Sequence, residues 1–274
     1  MLISFNGVLT DADDKIFSSH SRIYKYGDGF FESIRIIGRM PQLFSLHYNR
    51  IQRAATLFKI SLNEKWTQLY FEEQLNLLCL KNGFVNARCR ITFYRDSQGY
   101  YAPASNKGSF IIELTEDTGA YKLNDKGLSM GSYGQILKPS NFISFFKPLS
   151  AIHYVMAGIA AQEQKCDTVI LYNEYQRICE VFNANIFLIV DEDILTPSLG
   201  EYCLDGVMRQ HVINQCKILG KQIHETAITE EELLMADEVF VTNASKGIQW
   251  VESFGDKHYG FTVTQGLFSE IFSR

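Results

Sequence analysis

The residues that could do chemistry in this chain are charges set among apolar neighbours. Lys147 sits in Phe142-Ile143-Ser144-Phe145-Phe146-Lys147-Pro148-Leu149. A lysine there is either a boundary residue whose ammonium reaches water, or a desolvated amine. Desolvation lowers a lysine pKa and makes the amine a nucleophile toward carbonyl groups. Glu180 falls in Ile178-Cys179-Glu180-Val181-Phe182, a run apolar on both faces of a strand. Buried unpaired, it would cost on the order of several kcal/mol, so it needs a cationic or hydrogen-bonding partner, and a structural ion pair would serve. Asn183 and Asn185 add polar capacity to the same run. At positions 46, 50, 54 and 58 stand Leu, Arg, Ala and Phe, which puts Arg50 on the apolar stripe of a helix. An arginine so placed meets either a carboxylate or a phosphate. In Leu204-Asp205-Gly206-Val207-Met208-Arg209, Asp205 reads as a helix N-cap. The N–H groups of Gly206, Val207 and Met208 that follow form an anion-binding end, as at any helix start.

Strand-like and helix-like segments alternate around these residues, which predicts an α/β (α+β) fold. Strands are expected at 30–37, 87–94, 109–114, 128–133, 168–172, 178–190 and 238–242. Helices are expected at 46–60, 66–80, 151–165, 206–219 and 267–272. Pro148 biases Lys147 away from helical backbone, so the lysine should end a strand just before a helix. The polar stretch 116–126 reads as a linker. The expected organisation is a smaller N-terminal α/β domain over 1–118, a linker over 119–127, and a larger domain over 128–274 that carries Lys147.

The chain has 274 residues, 46% hydrophobic and 21% charged, with 26 Lys plus Arg against 31 Asp plus Glu and a formal charge of −5. Mild acidity argues against a nucleic-acid partner, which would need a basic face. No run approaches the roughly 18 apolar residues of a membrane span. The start, Met1-Leu2-Ile3-Ser4-Phe5-Asn6-Gly7, lacks the basic and apolar regions of a signal peptide. Six scattered cysteines and six histidines show no metal-ligand spacing, so neither a zinc site nor a disulfide framework is expected. A reduced, cytoplasmic protein is expected.

Two motifs mislead. Gly127-Leu128-Ser129-Met130-Gly131 matches the hydrolase G-x-S-x-G pattern, but a linker precedes it and Ser132-Tyr133-Gly134 follows where a helix is required. Tyr26-Gly27-Asp28-Gly29-Phe30 is glycine-rich, yet it lacks a P-loop lysine and precedes a strand.

Taken together, five segments in order resemble the class IV aminotransferases, the fold type IV pyridoxal-phosphate enzymes. That family includes branched-chain and D-amino-acid aminotransferases and aminodeoxychorismate lyase. The segments are Tyr26-Gly27-Asp28-Gly29-Phe30-Phe31-Glu32-Ser33-Ile34-Arg35, His47-Tyr48-Asn49-Arg50-Ile51, Lys147, Glu180 through Phe187, and Gly206-Val207-Met208-Arg209. The resemblance implies a two-domain fold of the D-amino-acid aminotransferase type, a pyridoxal 5′-phosphate cofactor and a homodimer. It implies that Lys147 forms the Schiff base and then acts as general base, and that Glu180 pairs with the pyridine nitrogen. It further implies that Arg50, Asn185, Val207, Met208, Ala244 and Ser245 help bind the cofactor.

The outcome of the chemistry stays open. Phe31-Glu32-Ser33-Ile34-Arg35 is similar to aminotransferases that pass an amino group from an amino acid to a 2-keto acid. Gly206-Val207-Met208-Arg209-Gln210 and Asn243-Ala244 look more like the lyase, which releases pyruvate and 4-aminobenzoate from aminodeoxychorismate. A member of the family without turnover is a third possibility, weakened by the presence of both Lys147 and Glu180. After Arg95 the sequence runs Asp96-Ser97-Gln98-Gly99-Tyr100-Tyr101. It lacks the second arginine that D-amino-acid aminotransferases and the lyase place there for a substrate carboxylate. Ile152 stands where branched-chain aminotransferases carry a tyrosine. Tyr26, Phe31, Arg35, Tyr100 and Tyr101 are the substrate-side candidates.

Overall fold

A computed structural model describes residues 1–272, and they form two compact units. Unit 1 comprises residues 1–120 together with 146–150, and unit 2 comprises 121–145 with 151–272. Unit 1 therefore ends two residues beyond the expected boundary. The larger difference is that the Lys147 segment sides with unit 1. Strand-like hydrogen bonds are the reason: Phe31 N–H donates to Lys147 O (2.9 Å) and Leu149 N–H donates to Gly29 O (3.0 Å). Lys147 does not end a strand. A 3₁₀ turn over Phe142–Phe145 precedes it, and one bridge pairs Pro148 with Phe30.

In unit 1 the strands are β1 (Leu2–Phe5), β2 (Val8–Asp11), β3 (Gly29–Ile37), β4 (Met40–Pro41), β5 (Ala87–Arg95) and β6 (Gly108–Glu116). They make an antiparallel sheet in the order β2-β1-β6-β5-β3-β4. The helices are α1 (Arg22–Tyr26), α2 (Phe44–Phe58) and α3 (Gln68–Asn82). Thr67 caps α3 by accepting from Tyr70 N–H (3.2 Å), and Gly83 closes it in the left-handed conformation. Alternation along β3 buries Phe30, Glu32, Ile34 and Ile36 on one face and sends Phe31 and Ser33 to the other. Phe30, Phe71, Phe93 and Phe110 are fully buried, and Phe30 stacks on Phe93 at 5.1 Å. Gly29 is required where β3 meets β5, because a Cβ there would lie 2.2 Å from Phe93 O.

Unit 2 contains β7 (Leu128–Tyr133), α4 (Ile152–Gln164), β8 (Thr168–Tyr172), β9 (Ile178–Val181), β10 (Asn185–Val190) and β11 (Asp193–Pro197). After these come α5 (Val207–Ile218), β12 (Ile223–Thr226), α6 (Glu230–Met235), β13 (Glu238–Asn243), β14 (Gly247–Phe254), β15 (Lys257–His258) and α7 (Thr262–Phe272). The sheet order is β12-β11-β10-β13-β14-β7-β8-β9, with β15 on β14. The single strand expected at 178–190 is two. A tight turn at 182–184, closed by Val181 N–H to Ala184 O (3.0 Å), separates β9 from β10. Val239, Val241, Ile186 and Leu188 turn into a core with Ile170, Val181 and Val251. No helix among the described residues is long and apolar enough to cross a membrane.

Candidate active site

In unit 1 the even residues of β3 place Glu32 beneath α2, where His47 and Arg50 project inward. Arg50 donates through Nε to Glu32 Oε1 (2.8 Å) and through Nη2 to Glu32 Oε2 (2.7 Å), and His47 Nδ1 lies 2.7 Å from Oε2. All three side chains are buried. Burial pushes the Glu32 carboxyl up, but the Arg50 charge and the hydrogen bonds from His47 and Arg50 outweigh it and hold the group at about 2. Burial pushes His47 below its usual value despite Glu32. An ionised Glu32 only accepts, so Nδ1 carries the proton that bonds to it. Arg50 thus sits on the apolar stripe as its spacing predicts, with a carboxylate across its Nε–Nη2 edge.

On the other face of β3, the Arg90 guanidinium carbon lies 3.6 Å from the Phe31 ring centroid and Lys147 Nζ lies 4.9 Å from it. Two cations thus share one ring. Arg90 is exposed and donates through Nε to Thr92 Oγ1 (3.2 Å), and it lines a cavity of about 450 Å³ with Phe17, Ile23, Glu113 and Leu149, where its terminal nitrogens could meet a ligand. Sequence reading passed over Arg90. Its signal was the alternation Ala87-Arg88-Cys89-Arg90, which turns both arginines away from the helix-covered face.

The other substrate-side candidates stand apart in their contacts. Arg35 donates from Nε to Gly119 O (2.9 Å) and from Nη1 to Asp117 (3.1 Å), and from Nη2 also to Gly119 O, so its fork fastens the segment leaving β6. That use weighs against it as the carboxylate binder. Asp28 receives Arg22 (2.7 Å) and Arg95 (3.0 Å). Arg95 also donates to Phe58 O and Lys59 O (both 2.7 Å), which gives it a structural use. Tyr26 lies under Arg22 at 5.0 Å, with its ring 5.4 Å from that of Tyr101. Tyr100 and Tyr101 are exposed, and the Tyr100 carbonyl accepts from Arg22.

In unit 2, Glu180 has the cation that its burial demands. Lys138 Nζ donates to Oε1 (2.5 Å), Tyr154 Oη donates to the same oxygen (2.6 Å), and Leu204 N–H donates to Oε2 (2.6 Å). Burial and the Glu180 charge push the Tyr154 phenol well above its usual value, so it remains a donor. Sequence reading missed both partners. Lys138 had a signal: Lys138-Pro139 repeats the Lys147-Pro148 pattern in an apolar setting.

Asn185 lies opposite Thr242 in the β10–β13 register. It donates through Nδ2 to Leu204 O (2.8 Å), while its Oδ1 lies 2.0 Å from where a Gly206 Cβ would stand. Only glycine therefore fits at the start of α5. Gly206, not Asp205, is the N-cap, and no side chain caps the helix. Asp205 instead accepts from Gln210 Nε2 (2.7 Å), which leaves the first-turn amides at Val207 and Met208 without a side-chain cap. The buried Thr242 Oγ1 has no hydrogen-bond partner among the described residues. Beyond β13, Asn243 Oδ1 accepts from Ser245 N–H (3.0 Å) and Lys246 N–H (2.8 Å), and Ala244 O accepts from Tyr121 Oη (3.1 Å). Among the described residues no group of three or more His, Cys, Asp or Glu is arranged for a metal, and all six cysteines are free.

The family model for amino-transferase class IV matches residues 29–254. A probable branched-chain-amino-acid aminotransferase of Thermotoga maritima is 27% identical, over 90% of this chain and 85% of its own length. An aminodeoxychorismate lyase of Bacillus subtilis is 25% identical, over 94% of this chain and 88% of its own. In fold, the chain resembles the crystal structure of a branched-chain aminotransferase from Thermoproteus uzoniensis, with a TM-score of 0.89 at 23% identity over 97% of this chain and 92% of that one. The glycine-bounded β3 with Glu32, the Arg50 helix, Lys147, the Glu180 strand and the Gly206 helix start all fall within the matched span, and the chain belongs to the class IV aminotransferase family.

Proposed function

We propose that this protein is a pyridoxal-phosphate enzyme acting on an amino acid, and specifically an aminotransferase that delivers the amino group to a 2-keto acid. Glu180 carries this reading. It is a buried carboxylate with three donors on it and an acceptor position left on Oε2, which suits a protonated aromatic nitrogen. The residues fit the rest of the group as well. The uncapped first turn of α5, with the unpartnered Thr242 hydroxyl on the neighbouring sheet face, suits a phosphate, and Ser245 adds a hydroxyl close by in sequence. When bound, the cofactor supplies an aldehyde and a ring that withdraws electrons from the substrate α-carbon.

Each residue then has a task. The Lys147 amine would hold the cofactor through its aldehyde, and as a general base it would take the proton from the substrate α-carbon and return it. Arg90, sharing the Phe31 ring with Lys147, holds a substrate carboxylate through paired hydrogen bonds. Glu180 would accept a hydrogen bond from the ring nitrogen and favour its protonated form. The amides of Val207 and Met208 would hold phosphate oxygens. A cytoplasmic homodimer belongs to the same proposal.

Borohydride reduction of the protein incubated with pyridoxal phosphate, followed by peptide mapping, should label Lys147. If Lys147→Ala is labelled as strongly as wild type, the assignment is wrong. The second reading, aminodeoxychorismate lyase, is favoured by Gly206-Val207-Met208-Arg209-Gln210 and Asn243-Ala244. Amino transfer from an amino acid to 2-oxoglutarate supports the first reading. Pyruvate and 4-aminobenzoate from aminodeoxychorismate, with no transfer in the other mixture, would establish the second.

A further inference from the structure

Lys138 has no task in the reaction outlined above. Its side chain is completely buried at 0% exposure, on the link between β7 and the 3₁₀ turn. Lys138 N–H donates to Tyr172 O (2.8 Å), which ties the link to the end of β8, and Pro139 holds the lysine extended. From there Nζ reaches Glu180 Oε1, and Tyr154 Oη reaches the same oxygen. A carboxylate offers about four acceptor positions. Both on Oε1 are occupied, and on Oε2 one is taken by Leu204 N–H. A buried ion pair of this kind is typically no more stabilising than an apolar pair of equal volume, so stability alone does not account for it.

We propose that Lys138, seconded by Tyr154, is a positioning residue that sets how strongly Glu180 Oε2 accepts a proton from the ligand's ring nitrogen. The proposal rests on the pyridoxal-phosphate reading. An ammonium at 2.5 Å draws the carboxylate charge toward Oε1. Oε2 is then a weaker acceptor than it would be on a lone buried carboxylate, and the ring nitrogen gives up its proton at lower pH. The three donors also fix the carboxylate, so that its last acceptor position points one way. In this proposal Lys138 acts through Glu180, on which its ammonium is spent.

The titratable neighbours leave this effect readable above neutral pH. On α4, burial and the Lys138 charge push His153 below its usual value, while Tyr154 is pushed far up. Burial pushes the Cys179 thiol of β9 far up and the Cys203 thiol before α5 up to about 11. Of the charged groups nearby, Glu201 is held by Arg177 (2.7 Å) and Asn173 (2.7 Å), Asp205 by Gln210, and Arg209 by Glu225 (2.8 Å).

The test is nitrogen-15 NMR of the holoenzyme loaded with ring-labelled pyridoxal phosphate, titrated from about pH 6 to 10. The Lys138→Met variant should move the ring-nitrogen midpoint upward by about one pH unit, a tenfold gain in proton affinity. Tyr154→Phe should move it the same way by less, and Lys138→Arg should leave it near wild type. A Lys138→Met holoenzyme with an unmoved midpoint would make the pair purely structural and overturn the proposal. So would a wild-type ring nitrogen that stays protonated throughout the range. Should Lys138→Met fail to fold, Tyr154→Phe decides, and an unmoved midpoint there overturns the proposal equally. Failure of the wild-type protein to take up the cofactor would instead sink the functional reading, and this proposal with it.

Discussion

Replacing Glu32 with glutamine removes the one charge that answers Arg50 across its Nε–Nη2 edge and keeps nearly the same shape. The magnitude follows from the cluster. A carboxyl lowered from its ordinary 4.5 to about 2 represents about 3 kcal/mol of folding free energy at neutral pH, at about 1.4 kcal/mol per pH unit. An independent expectation agrees, since stripping one partner from a buried ion pair typically costs about 3–5 kcal/mol. The folded-state pKa is depressed, so this stability is fully present above pH 4.5 and is lost as pH falls toward 2. Urea unfolding followed by Trp66 fluorescence reads unit 1, with Trp250 replaced by phenylalanine in both proteins to silence unit 2. At pH 7, Glu32→Gln should unfold about 1–2 M urea earlier for a slope of about 2 kcal/mol per M. By pH 3 the difference between the two proteins should shrink by about 2 kcal/mol, because wild type has then lost most of the same contribution. A gap below about 1 kcal/mol at pH 7, or one equally wide at pH 3, would refute the assignment of that charge.

Three further outcomes are expected. Gly206→Ala would drive a Cβ into Asn185 Oδ1, and isothermal titration should show pyridoxal-phosphate affinity falling about tenfold or more, whereas unchanged affinity would remove this corner from the site. Arg90→Met should raise the KM for the amino donor about tenfold to a hundredfold, matching about 1.5–3 kcal/mol for a charged hydrogen bond, and a KM near wild type would leave the carboxylate to another residue. Thr229 and Glu232 form a complete capping box on α6, so Thr229→Ala should cost about 1 kcal/mol in denaturant unfolding; no change in midpoint would mean the cap carries no net stability.

How much was legible depends on the residue. Arg50 and Glu180 stood out because each breaks an apolar pattern, and a pattern of burial is written locally in the chain. Lys147 drew notice for the same reason but is only half-buried, and β7 runs over the expected residues 128–133. The remaining differences are tertiary. The turn at 182–184 was hidden because Phe182 and Ala184 continue the apolar run that β9 and β10 share. Asp205 is a good cap by type, yet Gln210 claims its carboxylate. Arg35 looked available until the path of the chain brought Asp117 and Gly119 to it.

By itself the sequence determined that Arg50 and Glu180 fall on apolar faces and therefore must be answered. Only the tertiary structure decided what answers them. Glu32 reaches Arg50 across 18 residues and Lys138 reaches Glu180 across 42, separations at which periodicity carries no information. The same holds for Lys147, which lies between two stretches of unit 2 and yet hydrogen-bonds to β3 of unit 1. Burial is encoded by neighbours along the chain, whereas a partner is set by where the chain returns.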